Sequence, residues 1–318
     1  MTHMPRLGIT LGDPRGIGPE VTAAALSSFS AADGIEAVLV GPRSLGEVED
    51  RLAGVPRETV GDWDPAGGER LAGLLSARAI ERAVALARTG EIDGIVTAPI
   101  SKTALRAAGY AHPGHTEFLQ ELAGAHEVTM MMSAERTPLG GSLRLALLTA
   151  HLPLRDVPSV LDADLFARRS GIAIEALRIW WGIERPRVAF AGLNPHAGEG
   201  GLFGDEEIEV FAPALARLAA DPALDILGVF PGDTVFLKAI SGEADLVVTP
   251  YHDVGLAVLK TIAMNEGVNV TAGLPFPRTS PDHGTAMDIA GRGVADPGAM
   301  RAAIDLCARF CAARAVAT

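Results

Sequence analysis

The feature that most constrains the fold is an alternation of short, nearly unbroken aliphatic runs with longer segments of helical periodicity. The runs at 7–11, 37–40, 95–98, 143–149, 188–191 and 246–249 carry little internal polarity, as expected of strands buried on both faces. Between them, 71–88 and 162–181 place apolar residues at helical spacing, and each is followed by a glycine, Gly90 or Gly182, suited to a left-handed helix end. Strands and helices in this alternation predict an α/β fold around a mostly parallel sheet. No repeat or low-complexity segment interrupts the pattern, and 61–68 reads as a surface loop.

Composition narrows the function. With 48% hydrophobic residues in 318, the chain can bury a large core, and the length suits two domains or one large α/β unit. The net charge of −12, without any run of lysines or arginines, argues against nucleic acid or an anionic membrane as partner. A bound phosphate would need a local basic pocket. The two cysteines, Cys307 and Cys311, fall on one predicted helix. A disulfide framework and a thiolate zinc site are excluded, so a metal must be held by His, Asp or Glu. The first residues lack a charged segment followed by a long apolar one, and no apolar run reaches membrane length; the chain is expected in the cytoplasm.

Three of eight histidines follow directly on aliphatic runs: His151 after LRLALLTA, His196 after RVAFAGLNP and His252 after ADLVVTPY. In parallel sheets, ligands gather at the carboxyl ends of strands, where loops converge. Each histidine alone also fits a strand cap or a packed loop. Together, three imidazoles would leave coordination positions open for a substrate oxygen, and they suit Zn²⁺ or another transition ion better than Mg²⁺. Asp253 and Asp233 are candidates to orient ligands or take protons, and each also fits a turn or helix cap.

A second group is cationic and polar. Lys260, Asn269 and Arg278 lie in GLAVLK, GVNVT and LPFPRTS, and the guanidinium fork with a lysine point charge suits an anionic substrate. His115 and Thr116 sit where a loop becomes a helix, a position that favours anions. The turn GDPRGIGPE, 12–20, does not match the dinucleotide fingerprint, and Pro19 at a helix start explains it without a ligand. In DHGTAMDIAGRG, 282–293, the glycines and threonine around His283 would let backbone amides approach a phosphate or purine, with Asp288 as an acceptor.

Seven segments in order, GDPRGIGPE, TAPISK, HPGHTEF, TAHLPL, GLNPHAGEGG, YHDVGL and VNVTAGLPFPRTSPDHGTAMDIAGRG, resemble the 4-hydroxythreonine-4-phosphate dehydrogenase family of vitamin B6 biosynthesis, from Gly12 to about Asp296. The resemblance implies the two-domain architecture of isocitrate and isopropylmalate dehydrogenases, with mostly parallel sheets and a cleft between the domains. One domain would comprise 1–125 with 275–318, the other 126–274. NAD, or NADP, would be held by His283, Gly284, Thr285 and Asp288, whose segment is similar to the adenosine-binding loop of those enzymes. One divalent metal, Zn²⁺ before Mg²⁺, Mn²⁺ or Co²⁺, would be held by His151, His196 and His252. Substrate contacts would fall to His115, Thr116, Lys260, Asn269 and Arg278. Lys260, Asp253 and Asp233 are the catalytic candidates, with the general base open among them. A homodimer with the active site at its interface is implied as well.

The implied reaction oxidises the secondary alcohol of 4-hydroxythreonine 4-phosphate with NAD⁺. Decarboxylation of the β-keto acid then yields 3-amino-2-oxopropyl phosphate and CO₂, the metal stabilising first the alkoxide and then the enolate. One departure bears on the substrate: the family's usual Asp-Gln-Gly after the third histidine reads Asp253, Val254, Gly255 here. The alternatives are a 4-phosphoerythronate or 4-phosphothreonate dehydrogenase, a dihydrodiol carboxylate dehydrogenase of the same family and, from another class, a histidine-ligated metal hydrolase without cofactor.

Overall fold

The computed structural model describes residues 4–30, 33–112 and 114–317. Its strands are β1 (Arg6–Thr10), β2 (Glu36–Arg43), β3 (Arg57–Asp62), β4 (Gly94–Thr97), β5 (Thr129–Ala134), β6 (Leu143–Leu147), β7 (Arg187–Ala191), β8 (Asp225–Phe230), β9 (Leu246–Thr249), β10 (Val268–Ala272) and β11 (Arg278–Pro281). All six aliphatic runs form strands, and every residue of β4 and β9 is buried. The helical periods form Gly68–Thr89 and Ala163–Trp181. Gly90 and Gly182 close these helices with φ of 73° and 67°, and Asp162 opens the second by accepting from the Leu165 amide at 2.7 Å. The stretch 61–68 holds the end of β3 and a 3₁₀ turn at Pro65–Gly67.

The chain forms two compact units, Met1–His126 with Leu274–Thr318, and Glu127–Gly273. In the first the strand order is β3-β2-β1-β4-β11, and the pairing is parallel throughout. In the second the order is β10-β5-β6-β9-β7-β8, with β6, β9, β7 and β8 parallel and β5 antiparallel to both neighbours. The expected α/β fold with mostly parallel strands is therefore present, with β5 as the exception. Cys307 and Cys311 are buried free thiols on the helix Gly298–Ala317. Among the described residues no helix is long and apolar enough to cross a membrane.

The second unit packs Met132, Leu145, Leu147, Val247, Leu256 and Leu259 into one cluster. A neighbouring aromatic group joins the long helix to β7: Phe166 lies 5.4 Å from Phe190 and 4.7 Å from Phe211, ring to ring, all three fully buried. At the end of β5, Glu135 accepts two hydrogen bonds from Arg144 (2.9 Å each), one from the Ser133 hydroxyl (2.6 Å) and one from the Trp181 indole (2.9 Å). Burial alone would raise the pKa of this carboxyl, but the hydrogen bonds and charge of Arg144, with Ser133 and Trp181, outweigh it and bring it down to about 2. A depressed carboxylate pKa stabilises the fold above the unfolded value near 4.5, and that contribution is lost as the pH falls through about 2. The shift corresponds to about 3 kcal/mol. In urea unfolding between neutral pH and pH 2, the wild type should lose this increment relative to Glu135→Gln; parallel stability curves would show that the network contributes nothing to acid sensitivity.

Candidate active site

The strands β6, β9 and β7 are parallel neighbours in the second unit, with β9 between the other two. Their carboxyl ends therefore share one edge, and just beyond them stand His151, His252 and His196 respectively. The His151 and His252 rings are 5.7 Å apart between centroids. With Thr149, Tyr251 and Asp253 they line a cavity of about 180 Å³. His252 opens the helix His252–Ala263, and its Nδ1 lies 2.7 Å from Asp253 Oδ1. A carboxylate on Nδ1 fixes the ring and leaves Nε2 for a ligand, a common arrangement around metal-binding imidazoles.

His151 and His196 both carry left-handed backbone, with φ of 56° and 53°. For an L-residue this costs roughly 1–2 kcal/mol, and such strain persists where the surroundings over-determine it, often at functional sites. The His196 imidazole is exposed and lies 6.0 Å from the Phe203 ring. Among the described residues no three His, Cys, Asp or Glu side chains stand close enough together to hold a metal ion. Parallel pairing brings the three loops to one edge, and there the His151 and His252 rings meet while the His196 ring lies beside Phe203. The donor chemistry still fits a transition ion, because two imidazoles face one cavity and a third is carried by the adjacent strand end.

Asp233 is exposed in the turn after β8. A Cβ on the preceding Gly232 would lie 3.1 Å from the Val254 side chain, so the loop after β8 packs on the start of the His252 helix. Val254 also packs against the apolar cluster, which explains how an apolar residue is accommodated beside His252 and Asp253. Lys260 is exposed in the last turn of that helix, and Asn269 is half-buried on β10.

In the first unit, His115 and Thr116 open the helix His115–Ala123. The His115 Nε2 is buried without a hydrogen-bond partner. Burial and, secondarily, the charge of Arg278 hold its pKa well below the usual 6.5, so the ring is neutral. Arg278 is 2% exposed at the start of β11 and donates from Nη2 to Thr97 Oγ1 at 2.6 Å. Burial lowers its pKa only to about 10, so it keeps its charge at neutral pH. A buried cation beside a neutral imidazole with an unused nitrogen, at a helix N-terminus, is suited to an anion.

The loop 282–293 contains His283, Gly284, Thr285 and Asp288. His283 Nε2 is buried without a hydrogen-bond partner, and Ala286 has φ 41°. The turn 12–20 packs on this loop: the Ile17 amide donates to the Thr285 carbonyl at 2.9 Å, and the Gly291 amide to Glu20 Oε2 at 3.0 Å. Between them lies a cavity of about 220 Å³ lined by Arg15, Gly16, Glu20, Ala290 and Gly291 among others. Gly284, Thr285 and Asp288 are not among its lining residues. The only sequence signal for the pairing was two glycine-rich turns, each close behind a strand, at opposite ends of the chain.

The model of the pyridoxal phosphate biosynthetic protein PdxA family matches residues 40–307. The 4-hydroxythreonine-4-phosphate dehydrogenase of Beijerinckia indica subsp. indica is 43% identical, over 96% of this chain and 94% of that protein. A crystal structure of 4-hydroxythreonine-4-phosphate dehydrogenase from Klebsiella pneumoniae superposes with a TM-score of 0.81 at 37% identity, covering 96% of this chain and 99% of the other. A terephthalate 1,2-cis-dihydrodiol dehydrogenase from Burkholderia xenovorans LB400 reaches a TM-score of 0.67 at 27% identity, covering 96% and 98%. Isocitrate dehydrogenase from Methylococcus capsulatus, at 15% identity and a TM-score of 0.55 over 94% and 83%, shares the fold alone. With the family model covering most of the sequence and full-length relatives above 40% identity, the chain belongs to the pyridoxal phosphate biosynthetic protein PdxA family.

Proposed function

We propose that the protein is a nicotinamide-dependent dehydrogenase that oxidises and decarboxylates a phosphorylated hydroxy acid, with 4-hydroxythreonine 4-phosphate as the first candidate. The observation that carries the phosphorylated substrate is the buried, unsatisfied His115 Nε2 beside the buried Arg278 guanidinium. Arg278 would supply the charge, the neutral His115 a ring N–H and Thr116 a hydroxyl to phosphate oxygens. An apolar or uncharged substrate gives no reason to bury these groups.

His151, His252 and His196 would hold a divalent ion, which when bound supplies Lewis-acid polarisation of a substrate oxygen. Asp253 holds His252 through Nδ1 and so orients it, which leaves Asp233 as proton acceptor for the substrate hydroxyl and Lys260 as a cationic catalytic group. Asn269 would contribute polar contacts to the substrate. The nicotinamide cofactor accepts the hydride; His283, Gly284, Thr285 and Asp288, with the facing turn 12–20, would hold its adenosine end. Assembly as a homodimer is part of the reading, supported by the exposed apolar Leu202, Phe203 and Ile208 on the segment that follows His196.

The direct test is NADH production with 4-hydroxythreonine 4-phosphate, 4-phosphoerythronate, 4-phosphothreonate and dihydrodiol acids, with and without Zn²⁺. Turnover confined to phosphorylated acids is expected; turnover on dihydrodiols alone would contradict the phosphate assignment. Arg278→Gln should raise KM for the phosphorylated substrate roughly 10- to 150-fold, the equivalent of losing about 1.5–3 kcal/mol of charge-assisted hydrogen bonding. An unchanged KM would place the anion elsewhere. Chelation should abolish turnover, and Zn²⁺ should restore it in the wild type but not in His252→Ala; equal restoration in both would remove His252 from the metal.

A further inference from the structure

His196, Ala197, Gly198, Glu199 and Gly200 follow one another in the left-handed region, with φ of 53°, 53°, 78°, 42° and 67°. Glycine enters that region freely and other residues do not, so His196, Ala197 and Glu199 oppose the shape the chain takes. Backbone hydrogen bonds also cross the ends of the loop. Ala197 N–H donates to the Asn194 carbonyl at 3.1 Å, and Phe203 N–H to the Gly198 carbonyl at 3.2 Å.

A stronger tie comes from a carboxylate farther along the chain. Glu207 Oε1 accepts from the backbone amides of Leu193 and Asn194, each at 2.8 Å, and Oε2 accepts from the Asn194 side-chain amide at 2.9 Å. These residues lead directly into the left-handed run. A Cβ on Gly192 would lie 2.9 Å from Ala197 Cα and 3.2 Å from Glu207 Oε1, so glycine there is what lets the loop and the carboxylate approach. Two features aim Glu207. It is the first residue of a π-helical turn, Glu207–Phe211, an irregularity that recurs at functional sites. The same turn ends in the buried Phe211, packed on Phe166, so the carboxylate is anchored to the core rather than to the loop it holds.

We propose that Glu207 is the positioning residue for His196: its carboxylate fixes the left-handed turn that presents this imidazole to the divalent metal. The inference rests on the reading of His196 as a metal ligand. A carboxylate suits the role because it offers only acceptor lone pairs to three donors, whereas glutamine would set an N–H group against amides.

The test measures Zn²⁺ affinity of the full chain by competition with a chromophoric chelator, for wild type, Glu207→Gln, Glu207→Ala, His196→Ala and Glu209→Gln. Amide hydrogen exchange of the metal-free proteins is the second readout. Both Glu207 variants should lose about 10- to 100-fold in affinity, as groups that orient ligands do, and amides over 193–200 should exchange faster. Glu209→Gln, exposed in the same turn, should match wild type. Glu207→Gln keeps the side-chain volume, and an unfolding transition like that of the wild type separates loss of position from loss of fold. If Glu207→Gln binds Zn²⁺ like wild type while His196→Ala does not, the positioning role is overturned and the ligand reading stands. If His196→Ala itself binds like wild type, the ligand reading falls and the positioning role falls with it.

Discussion

The parallel hydrogen bonding of β6, β9 and β7 is the constraint on which the site depends. Leu145 pairs in register with Val247, and Val188 with Leu246, so the three strands end at one edge and their following loops have no other place to go. Antiparallel pairing at either contact would send one histidine to the opposite edge. The apolar character of these strands and the position of the histidines go together: parallel strands are buried on both faces under covering helices, and they deliver their loops to one edge.

Burial of charge divides the molecule's ionic groups into two kinds. Glu135 is half-buried, with its charge matched by Arg144 and with Ser133 and Trp181 completing its hydrogen bonds, which is a structural solution. Arg278 is buried beside an imidazole that is neutral and has a nitrogen to spare. The second arrangement places a charge and a spare ring nitrogen together, which suits an anionic ligand. The net charge of −12 does not oppose this, since the positive groups concerned lie inside.

Much of this was legible in the sequence because it rests on local pattern. The runs that became β1, β2, β4, β6, β7 and β9 are aliphatic and short, and the helices ending at Gly90 and Gly182 show both period and cap. Two of the strands that escaped notice, β11 and β3, lack that pattern. β11 reads Arg-Thr-Ser-Pro, and β3 is buried only in part, so each is a strand by virtue of its neighbours. Long-range features were also hidden. The pairing of the turn 12–20 with the loop 282–293 joins opposite ends of the chain, and the Glu207 carboxylate reaches back to Leu193 and Asn194 through a π-helical turn that no periodicity announces. The backbone of His196 was equally invisible, because a left-handed histidine leaves no mark in composition.

We propose that His151, His252 and His196, carried at parallel strand ends, would together hold one metal. X-ray absorption at the zinc edge, on protein loaded with one equivalent of Zn²⁺, reads this directly. Three imidazole nitrogens at about 2.0–2.1 Å are predicted, with the remaining coordination filled by oxygen. A shell of oxygens with one imidazole or none would contradict it.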